Sequence, residues 1–357
     1  MAFLLKRLNK RRRKLLGRLL VNTRLNADLG RYVANRFRKL FHDREKNTVV
    51  PFPTNAMIEL GNVCNLHCLM CPREFIYGKE MDKGFMALAQ AEKIIDELHP
   101  YLDSIGLTGL GETFLYPHLT EVAKYVKEKK KSIITTISTN AYQKDYKERI
   151  VPVLPFVDNI QFSVDGVEEV YETIRPKTSF GEVRDNIRFT MEKGRDVTFM
   201  VNCVVMPENF RDMRNVVSFA REMGIGYVNF NPVSIASQPG MKRDFYQFFR
   251  SKEYLKEVRA LEEMKRQFPD MEITGPHFPE DASFHDCIFP WEYPYITWDG
   301  YYVPCCGKPF PKLLNFGNVF NSSVMEVLNG EKAQAFRRQW QGNTAPPFCH
   351  NCQLTDF

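Results

Sequence analysis

From Pro51 onward the chain alternates short apolar runs with longer stretches whose apolar residues recur at helical spacing, the pattern of repeated β/α units on a parallel sheet. It predicts strands over 57–60, 104–107, 133–137, 159–163, 198–205 and 227–231, and helices over 87–98, 119–130, 181–193 and 210–223. A polar amphipathic helix is expected over 245–268, stopped by Pro269, with a loop rich in Pro, Asp and His after it. Residues 287–357 are rich in Pro, Gly and aromatics, and helical periodicity returns only over 323–340. The pattern thus divides the chain into a leading arm (1–48), a β/α core (49–240), a connecting helix and loop (241–286) and a C-terminal domain (287–357) expected to form around a metal. No internal repeat is evident.

Charge changes the picture at the N-terminus. Across 357 residues the net charge is +6, but residues 1–48 hold 15 Lys and Arg against 3 acids, so the body is acidic and the basic character belongs to the arm. Its stretches Phe3-Leu4-Leu5-Lys6-Arg7-Leu8 and Arg11-Arg12-Arg13-Lys14-Leu15-Leu16 mix basic and apolar residues at roughly helical spacing. Arg18 interrupts the only apolar run, which is too short for a membrane span or a signal-peptide core. Residues 1–45 suit an anionic membrane surface, an acidic partner, or a helix packed on the protein's own body. Nucleic acid ranks last, because no aromatic residues interleave the basic ones.

The cysteines carry the chemistry. There are nine, an odd number, and seven fall into two sets, which fits metal ligation in a reducing cytoplasm better than a disulfide framework. Cys64, Cys68 and Cys71 have a three-then-two spacing that can wrap three thiolates around one cubane and leave its fourth iron open. Zinc sites prefer paired C-x2-C knuckles. This triad resembles the hallmark of the radical S-adenosylmethionine (radical SAM) superfamily. The resemblance implies a partial (β/α)6 TIM-like barrel and a 4Fe-4S cluster whose open iron chelates SAM. It further implies reductive cleavage of SAM to a 5′-deoxyadenosyl radical that abstracts a substrate hydrogen. Met70 stands where relatives usually carry an aromatic residue near the adenine, and a soft apolar side chain can fill that space.

In a β/α barrel the reactive groups sit at the C-terminal ends of strands. After the second strand, Gly109-Leu110-Gly111-Glu112-Thr113 resembles the family's Gly-Gly-Glu motif. The resemblance gives Gly109 and Gly111 close approach to the methionyl group and Glu112 a hydrogen bond from the SAM amino group, with Thr113 in place of a common proline. Asn140 after the third strand, and Ser163 and Asp165 after the fourth, look like ribose or carboxylate contacts. Arg175 matches an arginine that pairs with the SAM carboxylate. Asn202 on the fifth strand is a further polar contact.

Cys287, Cys305, Cys349 and Cys352 resemble the ligands of a C-terminal SPASM or twitch extension, which implies one auxiliary 4Fe-4S cluster, with zinc as the rival occupant. Cys306 is the ambiguous neighbour, and Cys203 reads as a small buried hydrophobe. An auxiliary cluster implies an oxidative transformation, and a flavodoxin or ferredoxin would supply electrons. Relatives act on aminocyclitol or sugar alcohols or modify peptides. The arm is shorter than a leader-binding domain, which shifts the expectation towards a sugar, cyclitol, glycan or lipid-linked alcohol, with a peptide-modifying maturase as the alternative. Proton acceptors for alcohol oxidation would come from His277, Asp281, His285 or Asp286. A non-catalytic iron-sulfur carrier or zinc scaffold is the reading from a different class, and it leaves Glu112 and Asp165 unexplained.

Overall fold

The computed structural model describes residues 27–238, 243–276, 284–342 and 344–352. The arm from 1 to 26, His277 and Asp281 lie outside the described residues. Ten strands form one sheet: β1 (Asn55–Ile58), β2 (Ser104–Gly106), β3 (Ile134–Thr139), β4 (Asn159–Ser163), β5 (Thr198–Val205), β6 (Tyr227–Pro232), β7 (Glu272–Thr274), β8 (Tyr295–Ile296), β9 (Tyr301–Val303) and β10 (Gly317–Asn318). Their spatial order is β10-β9-β8-β1-β2-β3-β4-β5-β6-β7.

Strands β1 to β7 pair in parallel in sequence order, each β/α crossover returning the chain beside the strand it has left. The expected six core strands are present, and β7 is an unexpected seventh. The C-terminal region extends the same sheet at its other end. β8 pairs in parallel with β1, setting Met57 beside Tyr295, and β9 and β10 follow antiparallel.

The parallel strands have two unlike faces. Ala56, Ile58, Ile105, Ile137, Ile160, Phe162, Val201 and Val228 are sealed in the core, which the helices Leu88–Leu98, Leu119–Lys129, Phe180–Lys193 and Met213–Glu222 share through Ile94, Val122, Ile187 and Val216. The alternate positions Ser138, Gln161, Ser163, Asn202 and Asn229 are only half-buried, so the opposite face of the sheet is polar.

Two helices that the hydrophobic pattern passed over, Tyr146–Val153 and Glu168–Ile174, fill the third and fourth crossovers. Pro152 inside the first obscures it. The expected helix over 245–268 is in fact a 3-10 segment, Arg243–Arg250, followed by an α-helix, Lys252–Gln267. Ser251 divides the two, its side chain accepting the Tyr254 amide as an N-cap. The 323–340 stretch is likewise two helices, Val324–Leu328 with a Ser323/Glu326 capping box and Glu331–Trp340. Among the described residues, no helix is long and apolar enough to cross a membrane.

Candidate functional site

The triad loop leaves the end of β1 and is fixed on two sides. The Leu69 amide donates to the Ile174 carbonyl (3.0 Å), and the Glu112 amide donates to the Val63 carbonyl (2.9 Å). Cys64, Cys68 and Cys71 all carry free thiols, close enough for each to feel the charge of the others. Burial pushes the Cys68 thiol up to about 12, with Arg175 pulling the other way. Thiols so placed are neutral until a metal takes their protons.

Gly109 and Gly111 each have a packing reason to lack a side chain. A Cβ on Gly111 would run into the carbonyl oxygens of Gly61 and Val63, and one on Gly109 would run into the Glu59 side chain. Both glycines therefore let the β2 loop lie flat against the β1 loop that carries the triad. Glu112 locks the same loop to β3. Its carboxylate accepts the Phe114 amide (3.1 Å), the Thr139 hydroxyl (2.8 Å) and the Asn140 amide (2.8 Å), occupying three of about four acceptor positions. Burial raises its pKa and those donors lower it.

Asn140 stands beside the triad: its side-chain amide donates to Asn65 Oδ1 (3.0 Å) and lies 4.0 Å from Cys64 Sγ. Asp165 and Arg175, expected to contact SAM separately, are joined to each other. Arg175 Nε and Nη2 both donate to Asp165 Oδ2, at 2.9 and 2.6 Å, and Asp165 Oδ1 accepts the Val204 amide (2.7 Å). The pair is buried, with side chains 8% and 1% exposed; burial works against the charge on Arg175, and Asp165 together with Cys68 and Tyr171 more than offsets it. Ser163 and Asn202 are register partners on β4 and β5, and Asn202 Oδ1 accepts from Asn229 (2.9 Å) and Asn231 (2.7 Å).

Two buried charged residues escaped the sequence reading. Arg73, two residues beyond Cys71, is 4% exposed, and its Nε and Nη1 have no partner in the protein. A buried guanidinium left open beside three thiols suits an anionic group at that place, so the residues present fit the implied cluster. Glu59 is wholly buried at the end of β1, and Glu59 Oε2 accepts the Leu110 amide (2.8 Å) and the Tyr295 hydroxyl (2.7 Å). It thus joins the β2 loop to the C-terminal region. A carboxylate in the apolar 57–60 run was a visible signal for it.

The second cysteine set converges. Cys287, Cys305, Cys349 and Cys352 line one pocket of ≈ 490 Å³ with Pro304, Phe336 and Trp340. The Gly307 amide donates to Cys305 Sγ (3.1 Å). The Cys306 thiol and the amides of Gly307 and Lys308 hold the Cys305 thiol down to about 7, against burial. Cys305 lines that pocket with the other three cysteines, and Cys306 is not among its lining residues. His285 and Asp286 are exposed in the turn before Cys287. Cys203 is buried on β5, 2% exposed.

Two family models match, that of the radical SAM superfamily over residues 58–220 and that of the SPASM iron-sulfur cluster-binding domain over 287–353. The chain belongs to the radical SAM superfamily and carries a C-terminal SPASM domain. These domains imply a SAM-binding 4Fe-4S cluster together with auxiliary iron-sulfur binding.

Among individual proteins, it is 25% identical to the antilisterial bacteriocin subtilosin biosynthesis protein AlbA of Bacillus subtilis over 313 residues, 85% of this chain and 64% of AlbA. The chain therefore spans less than two thirds of that relative's length. A Helicobacter pylori protein described as UPF0026 is 22% identical over 181 residues, 48% of this chain and 58% of its own. Streptococcus suis SuiB bound to S-adenosylmethionine shares the fold, with TM-score 0.67 and 17% identity over 96% of this chain and 80% of SuiB. So does anSMEcpe with bound AdoMet, with TM-score 0.64 and 16% identity over 85% of this chain and 88% of that one.

Proposed function

We propose that this enzyme modifies a peptide oxidatively, using SAM and an auxiliary iron-sulfur cluster. The observation that carries the reading is the likeness to AlbA, a bacteriocin biosynthesis protein, over 85% of the chain. SuiB, also similar in fold, has been seen bound to its precursor peptide. The expectation of a sugar, cyclitol or lipid-linked alcohol finds no support among these relatives, and the peptide alternative fits them better.

In this reading Cys64, Cys68 and Cys71 hold the SAM-binding cluster and Cys287, Cys305, Cys349 and Cys352 the auxiliary one. When bound, the first cluster supplies the electron that cleaves SAM, and SAM supplies the hydrogen-abstracting group. The protein's part is placement. Glu112 and the two glycines press the β2 loop against the triad, Asp165 orients Arg175, and Arg73 offers two N–H donors beside Cys71. A flavodoxin or ferredoxin delivers the electron, and nine cysteines, seven of them in two ligand-like sets, suit a reducing cytoplasm.

The test is anaerobic reconstitution followed by reduction with SAM in the presence of pooled short peptides or of aminocyclitols and sugars. Peptides should stimulate 5′-deoxyadenosine formation and lose mass as hydrogen, and replacing Cys64, Cys68 and Cys71 together by Ala should abolish both. Stimulation by the alcohols alone would overturn the peptide reading. Stoichiometric zinc in place of the second set of irons would overturn the auxiliary-cluster assignment.

A further inference from the structure

The helix Ala27–Leu40 is mounted inside out. Its polar side chains face the protein: the Tyr32 hydroxyl donates to Asp103 (2.6 Å), Arg36 pairs with the same carboxylate, and Lys39 lies 3.6 Å from Glu292. Asn35, 2% exposed, trades two 3.0 Å hydrogen bonds with the Phe52 backbone.

The large apolar side chains point the other way. Val33, Phe37, Leu40 and Phe41 are 40%, 60%, 74% and 78% exposed, and their spacing puts them on one stripe. With Val49 they make five of the twelve exposed large hydrophobics among the described residues. A surface helix normally buries its apolar stripe and leaves its charges in water. Here the polar side chains fasten the helix, and the apolar stripe is left for something else.

Charge decides what that is. The stripe is flanked by exposed Arg38, by Arg31, 59% exposed and 3.4 Å from Asp28, and by Lys46, 79% exposed and 3.1 Å from Asp43, both being surface pairs that cost little to exchange for headgroups. It belongs to a segment, 1–48, with 15 basic residues against 3 acidic ones. A second copy of the chain would set positive against positive. A nucleic acid would face bulky apolar groups with phosphates. A bilayer rich in anionic lipid answers both features, taking apolar side chains at the acyl boundary and basic ones among the headgroups.

We propose that this face seats the enzyme peripherally on an anionic membrane, with Phe37, Leu40 and Phe41 entering the interface and Arg31, Arg38 and Lys46 meeting the headgroups. The proposal is independent of the substrate: it concerns where the enzyme sits.

The test uses the full chain and co-sedimentation with vesicles of phosphatidylcholine alone or mixed with phosphatidylserine. Binding should require phosphatidylserine and weaken as salt rises, within the range set by Debye screening. Replacing Phe37, Leu40 and Phe41 together by Ser should weaken it by roughly tenfold or more. The Arg31→Glu/Arg38→Glu variant should lose binding at lower salt than the parent. Iron content and SAM cleavage should be unchanged in both, which separates lost docking from lost folding. Failure of the full chain to bind at low salt, or unchanged binding by the triple Ser variant, would overturn the proposal. So would a triple variant that turns a dimer into a monomer, because the stripe would then be a self-association face.

Discussion

Glu59 has no contact with water, and burial raises its pKa to about 7 even though the Leu110 amide, the Tyr295 hydroxyl and the Trp298 amide lower it, with nearby Asp299 raising it further. In the unfolded chain a glutamate titrates near ~4.3. Between those values the native state binds the extra proton, so this residue's stabilising contribution is full at low pH and is lost as pH rises through about 7. Glu59→Gln keeps the neutral shape at every pH. Its urea midpoint should match the parent near about pH 5 and exceed it near about pH 8, by up to roughly 3 kcal/mol at 1.36 kcal/mol per unit. Equal midpoints at the higher pH would show that Glu59 is stabilised as the anion. Arg73 has a spectroscopic counterpart. Its unpartnered nitrogens lie beside the triad, so Arg73→Met should lower the midpoint potential of the cluster held there, since a nearby cation favours the more negative, reduced form. Redox titration followed by electron paramagnetic resonance would read the shift, and Arg73→Lys should recover part of it.

At the level of elements, the loops after β1 and β2 form one unit because Gly111 has no side chain. Gly111→Ala would push a Cβ into the Gly61 and Val63 carbonyls. The loops must then separate, at a cost of about 1–3 kcal/mol by analogy with overpacking, and the triad should hold less iron while the C-terminal cysteines keep theirs. Iron analysis of this variant beside one lacking the four C-terminal cysteines would check this. How far such elements were legible depends on length. Strands β1 to β6 and the long helices between them announce themselves through periodicity. β7 to β10 have two or three residues each, too few to repeat a pattern, and they lack what marks the equally short β2, a place between two long periodic helices. Cysteine spacing pointed to the triad and the resemblance to a SPASM extension pointed to Cys287, Cys305, Cys349 and Cys352, and the structure brings the members of each set near one another. The Asp165–Arg175 pair and the Glu59–Tyr295 bond join residues by tertiary packing, and no local pattern encodes them. The basic arm was visible in the sequence, but the helix Ala27–Leu40 at its end and the face it turns to the body were not.

For the molecule as a whole, the C-terminal domain is part of the barrel's sheet. β8 lies against β1, Tyr295 bonds Glu59, and the Trp298 ring covers Gly84 so closely that a Cβ there would strike it. Strand β1 therefore has neighbours on both edges, β8 and β2, and is fourth from the β10 end of the ten-stranded sheet. A strand so flanked cannot peel away by itself, and its amides exchange with solvent only when a large part of the sheet opens. Hydrogen–deuterium exchange should find residues 55–58 among the slowest in the chain, and the edge strands β7 and β10 among the fastest. Rapid exchange in β1 would mean that the C-terminal region comes and goes. If β1 holds, the triad loop hangs from a fixed post. A protein whose inorganic centre has been destroyed by oxygen would then keep the mould in which it was cast, and repair would need a reductant for the thiols with fresh iron and sulfide, without refolding.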